Sequence, residues 1–216
     1  MAGTEADLMR EIGRLAKDLR HRTTQWQYFF EVNTPEGMRL MLEHDEEMRR
    51  QGRATGLPDP TLPPPTTVEA VGIAEEAVGF RFPPFLTRIW TEIANGGFGP
   101  GNGIFGIDGG LAEECSGQTT ASLYLATVQD GGWAEVLGKP WPQKLVLICE
   151  WGGDERSAID CSTPEGKLFD LVEGERWKLK RKSMTFSQWM EAWVKGVELW
   201  PYSNPIATLD WPAGAL

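Results

Sequence analysis

Six glycines lie within NGGFGPGNGIFGI, the stretch from Asn95 to Ile107, and they restrict the backbone geometry that can surround them. Gly101 to Gly106 matches the G-x-G-x-x-G pattern of a dinucleotide-binding turn, which needs a strand before the glycines and a helix after them. Here the order is reversed, because a predicted helix ends at Asn95 and an apolar, strand-like stretch follows Gly103. The negative end of the helix dipole disfavours phosphate. We therefore interpret the stretch as a structural turn of positive-φ glycines and expect no cofactor.

Hydrophobic periodicity predicts helices on both sides of a proline-rich segment. Apolar residues three and four apart predict a helix over residues 4–30, and Thr34-Pro35-Glu36 is typical of the start of a second helix. GLPDPTLPPPTT, residues 56–67, is interpreted as a linker or a stiff surface crossing. After it, Thr67 and Gly79 are expected to begin and end a third helix. Further helices are predicted from Phe85 to Asn95 and over residues 122–128.

After Pro142 the chain changes to short strand-like segments. The apolar run 144–150 predicts a central strand, and two more strands are predicted over 157–161 and 167–172, around the turn sequence STPEG. Residues 175–180 alternate between polar and apolar side chains, as an edge strand does. Thr185 to Gln188 forms a capping box at the start of a last helix, whose aromatic face contains Trp189, Trp193 and Trp200. This order of elements predicts an α+β domain with a largely antiparallel sheet.

The chain is strongly acidic, with a net charge of −10 and a pI of about 4.8. Such a surface repels a phosphate backbone and favours basic protein partners, so we expect no nucleic acid ligand. Cys115, Cys149 and Cys161 are odd in number and lack the spacing of a metal site, which suits a reducing compartment. No long apolar run or signal peptide is present in the sequence, so we expect a cytoplasmic protein without membrane contact.

The sequence offers little for catalysis or metal binding. Both histidines, His21 and His44, lie in the N-terminal part, away from the nucleophiles of the main domain. Carboxylates occur as sequence neighbours that point apart, and we interpret these pairs as solvated surface. A hard-cation site built of Asp108, Glu113 and Glu114 lacks the spacing of a calcium loop. We expect neither a metal site nor an enzyme. A carboxylate-dependent hydrolase is the alternative, and it requires a deep pocket with two facing acids.

Two features point to protein contacts. RWKLKRK, residues 176–182, is the one strongly basic segment of the sequence. We interpret it either as an edge strand whose lysines prevent pairing with another chain, or as a contact with a partner. Trp133, Trp141 and Trp151 are placed in glycine- and proline-rich loops, where an aromatic side chain either covers the core or anchors an interface.

Three segments resemble the SUKH superfamily in the right order. VEAVGIAEEAVGFRFPPFLTRIWTEIANGGFGPGNGIFGI (68–107) resembles its opening helices and glycine-rich turn. WPQKLVLICEWGGDERSAIDCSTPEGKLF (141–169) is similar to its middle, and SMTFSQWMEAWVKGVELW (183–200) to its closing helix. The chain departs from the pattern at Gly153, where a cysteine is common, and in its long N-terminal extension.

The resemblance implies helices packed on a mixed, mostly antiparallel sheet, with a two-helix extension in front. It divides the chain into residues 1–66 as extension and linker, 67–200 as the SUKH-like domain and 201–216 as a tail. It also implies that the matching motif residues are architectural rather than catalytic: Asn95, Gly96, Gly97, Gly103, Trp141, Pro142, Gly152 and Asp160.

Bacterial members of the superfamily act as immunity proteins, and fungal relatives regulate cell-wall synthesis. The resemblance therefore implies a protein that binds and blocks a cognate toxin domain, with a basic nuclease as a fitting partner. A regulatory or scaffolding module with a housekeeping partner is the alternative. The loop acids and aromatics expected to contact the partner are Asp108, Glu113, Glu114, Trp133, Trp151, Asp154 and Glu155.

Overall fold

The computed structural model describes residues 4–18, 35–51, 61–152, 155–174, 176–197 and 199. Several predicted features lie outside these described residues: the first helix beyond residue 18, the Thr34 cap, His21, most of the proline-rich segment, Gly153 and Asp154, Trp200 and the tail 201–216.

Seven α-helices are described: α1 (Glu5–Ala16), α2 (Pro35–Arg50), α3 (Val68–Val78), α4 (Pro84–Arg88), α5 (Thr120–Asp130), α6 (Gly132–Leu137) and α7 (Phe186–Val194). A π-helical turn, Ile89–Ile93, continues α4 without a break. In the described parts of the chain, none of these helices has the length and apolar character needed to cross a bilayer.

Four strands form one sheet: β1 (Leu145–Gly152), β2 (Glu155–Asp160), β3 (Lys167–Val172) and β4 (Lys178–Thr185). They pair in sequence order, and each of the three pairings is antiparallel. The α+β prediction is therefore confirmed. Because the turns between these strands are short, each strand pairs with the next one along the chain.

The predicted helix ends of the main domain are confirmed in atomic detail. The Thr67 hydroxyl accepts the Ala70 N–H at 3.1 Å, and Gly79 ends α3 with a φ of 82°. At α7, the Gln188 N–H donates to Thr185 Oγ1 at 3.4 Å while the Thr185 N–H donates to Gln188 Oε1 at 2.9 Å. These side chains satisfy N–H groups that have no partner within the helix.

The core lies between the sheet and the helices, and it includes the N-terminal helix. Trp90, Trp151 and Trp189 are among its largest fully buried side chains. Helix α1 buries Met9, Ile12, Leu15 and Ala16 and packs against α7 and the π-helical turn. Arg88 reaches across to pair with Glu5. Helix α1 is thus part of the same hydrophobic core as the sheet.

Four local predictions are wrong. The helix predicted over residues 4–30 ends at Ala16, where Lys17 is the C-cap and its N–H donates to the Leu15 carbonyl. Trp133 lies on the short helix α6 rather than in a loop, because Gly131 and Gly138 border the helix as positive-φ residues instead of breaking it. Trp151 lies on β1 rather than in a loop, because β1 pairs with β2 as far as Gly152. Strand β4 begins at Lys178 and ends at Thr185, later than the predicted 175–180, because its pairing with β3 fixes its position.

Candidate functional site

The glycine-rich stretch, residues 95–107, reverses the direction of the chain, and the side-chain amide of Asn95 holds this turn, which we call the glycine-rich corner. Asn95 Oδ1 accepts the Ile107 N–H at 2.9 Å, and Asn95 Nδ2 donates to the carbonyls of Ile107 and Asp108 at 3.2 and 3.1 Å. Gly96 has a φ of 85°, and a Cβ there would lie 2.5 Å from the Ile104 carbonyl oxygen. The interpretation as a structural turn with positive-φ glycines is confirmed.

This corner also covers one edge of the sheet. The Asn102 N–H donates to the Glu150 carbonyl at 2.8 Å, and the Phe105 N–H donates to the Ile148 carbonyl at 2.7 Å. Ile104 forms an antiparallel bridge with Cys149. The sequence predicts a strand-like stretch after Gly103, and the structure shows a short pairing of this stretch with β1.

The structure separates the predicted contact residues into exposed and buried groups. Asp108 and Glu114 are exposed, and Trp133 and Glu155 are half-buried. Glu113 and Trp151 are 3% and 1% exposed, so neither presents its side chain at the surface. Trp151 belongs to the core, where its indole N–H donates to Ser157 Oγ at 2.9 Å. The interpretation of the carboxylate pairs as solvated surface is wrong for Glu113 and also for Glu75, which is 8% exposed.

Glu113 is buried because Arg156 of β2 pairs with it. Arg156 Nη2 lies 2.9 Å from Glu113 Oε1, and the Ser116 N–H donates to Glu113 Oε2 at 2.7 Å. Burial raises the pKa of this carboxyl, but the Ser116 hydrogen bonds and the Arg156 guanidinium outweigh burial and hold the pKa below its usual value. Glu113 is therefore ionised at neutral pH, and its charge fixes the loop before α5 onto the sheet.

Trp133 lies over the same arginine. The Arg156 guanidinium carbon is 6.0 Å from the Trp133 ring centroid, at the outer limit of a cation–π contact. The Trp177 ring meets the Trp133 ring edge to face with centroids 5.5 Å apart, and the Trp141 ring centroid lies 6.4 Å from that of Trp133. Trp133 is thereby held in one orientation while part of its ring faces solvent.

Glu150 of β1 completes the group. It lies opposite Arg156 in the strand register and is 7% exposed. Burial raises its pKa, and the nearby charges of Glu113 and Glu114 raise it further, although the Glu114 N–H donates a hydrogen bond to its carboxylate. We name these five residues the Arg156 cluster: Glu113, Glu114, Trp133, Glu150 and Arg156. Three acids around one base give it a negative charge.

Sequence reasoning selected three members of the Arg156 cluster, Glu113, Glu114 and Trp133, and missed Glu150 and Arg156. No described contact joins Asp108 to the cluster, Trp151 is directed into the core, and Asp154 lies outside the described residues. The one signal for Arg156 was a base that follows two acids and precedes the strand-like segment 157–161. Its pairing with a residue 43 positions earlier depends on tertiary structure.

The described residues contain no group of three side chains suited to hold a metal ion. His44 is exposed on α2, and burial raises the pKa of the thiols of Cys149 and Cys161.

Two open clefts are described. One, of about 530 Å³, includes Glu75, Glu76 and Arg81, and the other, of about 350 Å³, lies along β4. Glu75 is already bound by the Arg81 side chain and by the Phe82 N–H at 2.8 Å.

The chain is an α+β protein whose antiparallel sheet packs Trp151 against Trp189 of α7 on one face and Arg156 against Trp133 of α6 on the other. No family model, curated protein or solved structure matches it.

Proposed function

We propose that this chain is a cytoplasmic immunity protein, a non-catalytic module that binds and neutralises a cognate bacterial toxin domain. The observation that carries the proposal is the Arg156 cluster, in which the half-buried Trp133 lies over Arg156 and the exposed Glu114 adjoins the buried Glu113 and Glu150. Tryptophan and arginine side chains are enriched in protein-binding hot spots. The SUKH resemblance of residues 68–107, 141–169 and 183–200 supports the same role.

The charge of the cluster favours a basic partner. Of its three acids only Glu114 is exposed, since Glu113 and Glu150 are buried, and the half-buried Glu155 begins the neighbouring strand. Within a chain of net charge −10, such a surface accelerates encounter with a positive surface. Toxin domains that cleave nucleic acids need a positive surface for phosphates, so an acidic inhibitor can occupy that surface in place of the substrate.

The test is co-expression with the toxin domain encoded beside this gene. We expect the chain to restore growth and to co-purify with the toxin domain. Glu114→Lys and Trp133→Ala are expected to weaken binding, with Glu76→Lys, an exposed acid on α3, as the matched control. If no neighbouring toxin domain binds and none is neutralised, the proposal is wrong. If binding is unchanged by the two cluster variants, the binding surface lies elsewhere.

A regulatory or scaffolding role is the second candidate, and helix α2 favours it. Leu40 and Leu42 are each 45% exposed on a helix rich in ion pairs, including Arg39 with Glu36 at 2.6 Å. The two leucines are two positions apart and lie on different sides of the helix, so each offers a separate apolar contact to a partner. Deleting α2 separates the two roles, because it would abolish recruitment of a housekeeping partner and leave toxin neutralisation unchanged.

A further inference from the structure

The two edges of the sheet differ in how they are covered. The glycine-rich corner donates two backbone hydrogen bonds to β1, from Asn102 and Phe105. At the opposite edge, residues 178–183 of β4 make backbone pairings only with β3, as far as the described residues extend. An open edge offers N–H and C=O groups to another extended chain.

The open edge carries exposed positive charges. Lys178, Lys180 and Arg181 are exposed, and none forms an ion pair with a described residue. By contrast, arginines of the helices bind carboxylates on their own helix: Arg10, Arg14, Arg39 and Arg50. Lysines on an edge repel basic strands and discourage apolar ones, and the same lysines attract an acidic strand.

The charges of β4 follow a regular pattern. Lys180 lies opposite Asp170 of β3, and Lys182 Nζ binds that same Asp170 at 2.6 Å. Lys178 and Lys180 therefore lie on one face of the strand, whereas Leu179, opposite Leu171, lies on the other. An added strand would need acids at every second position, facing the lysines, and apolar residues between them.

A cleft continues the edge beyond these lysines. It has a volume of about 350 Å³ and is lined by Lys167, Arg181, Lys182, Ser183, Met184 and Thr185. The register of β3 and β4 is irregular here, because Lys167 pairs with Thr185 but Phe169 pairs with Arg181. The bulge opens the space in which the end of a bound segment can lie.

From these observations we propose that β4 binds an extended acidic peptide segment by strand addition, with acids at alternate positions. This surface is opposite in charge to the Arg156 cluster and independent of the proposed toxin-binding role. Its ligand is recognised through the backbone groups of the edge and through Lys178 and Lys180.

The experiment measures binding of a fluorescein-labelled peptide in which Glu alternates with Val or Thr. Two control peptides carry Gln in place of Glu, or Pro at a central position, where Pro removes a backbone donor. We expect the acidic peptide to bind and both controls to bind weakly. Lys178→Glu with Lys180→Glu should weaken binding by about tenfold or more, since two attractive pairs become repulsive. Lys17→Glu with Lys139→Glu changes two exposed lysines outside the sheet and should have little effect.

Hydrogen exchange supplies the second measurement, because strand addition protects the amides of β4. Added protection at residues 178–183, together with loss of binding to the Pro peptide, supports the proposal. It is overturned if the acidic peptide does not bind. It is equally overturned if the Pro peptide, inorganic phosphate or a DNA oligonucleotide binds as well as the acidic peptide, or if a second copy of the chain occupies the edge.

Discussion

Replacing Arg156 by Met tests the buried ion pair at the centre of the Arg156 cluster. The arginine and Glu113 have side-chain exposures of 9% and 3%, so the substitution leaves a buried carboxylate without its cation. Removing one partner of a buried pair costs about 3–5 kcal/mol. Because the Ser116 N–H still donates to Glu113, we expect a loss at the lower end of this range. The free energy of unfolding should fall by about 3 kcal/mol at about pH 7.

The pH dependence follows from the pKa of Glu113. In the wild-type chain that pKa is lowered on folding, so its contribution to stability is present above the unfolded value and is lost as pH falls through the folded value. In Arg156→Met the carboxylate of Glu113 has no cation beside it, so protonation of Glu113 removes an unpaired buried charge. The difference in stability between wild type and variant should therefore shrink as pH falls from about 7 to about 4.

Urea unfolding of four chains measures the effect: wild type, Arg156→Met, Glu113→Gln and the double variant. The double variant should lose less stability than the two single variants added together, since it leaves no unpaired charge. Arg88→Met is the matched control. Arg88 is 35% exposed where it pairs with Glu92 at 2.6 Å, so its loss should cost less than about 1 kcal/mol. A loss below about 1 kcal/mol for Arg156→Met, or additive single variants, would refute the reasoning.

Three other substitutions give defined results in the same urea assay. Glu150→Gln should stabilise the fold by about 1 kcal/mol at about pH 7 and have little effect near pH 4, because its raised pKa means that ionisation opposes folding. Asn95→Ala should cost about 2–4 kcal/mol, since it leaves the buried Ile107 N–H without its acceptor and two carbonyls without their donor. Ile12→Ala should cost about 3 kcal/mol, because its side chain is fully buried.

Each of these has a contrary result. Glu150→Gln that destabilises at neutral pH would mean that attraction to Arg156 outweighs burial. If the Asn95→Ala variant is as stable as the wild type, the side-chain amide of Asn95 is not needed to stabilise the glycine-rich corner. If Ile12→Ala leaves the stability unchanged, α1 is not part of the cooperative core.

Local signals in the sequence predicted the parts of the fold that short-range chemistry decides. Thr67 and Thr185 each precede a helix and bind its first N–H groups, so three or four residues suffice to recognise the start. Strand β3 was predicted with its observed bounds, because its apolar segment lies between turn residues. The glycine corner was interpreted correctly from the order of the elements around it.

Features set by distant contacts could not be predicted. Trp151 stands before two glycines, which favour a loop, yet pairing with β2 carries β1 through Gly152 and buries the indole. Glu113 looks like half of a solvated pair until Arg156 is brought beside it by the packing of the loop before α5 on the sheet. Sequence spacing contains no information about that contact.

The position of α1 affects the order in which the chain can fold during synthesis. Helix α1 leaves the ribosome well before α7, against which it packs. Until α7 emerges, the apolar side chains of Met9, Ile12 and Leu15 lack part of their final environment, and a nascent chain in that condition is open to aggregation or chaperone binding. Ribosome-stalled chains that stop before residue 186 should therefore remain sensitive to protease at α1, and chains long enough to expose α7 should become resistant.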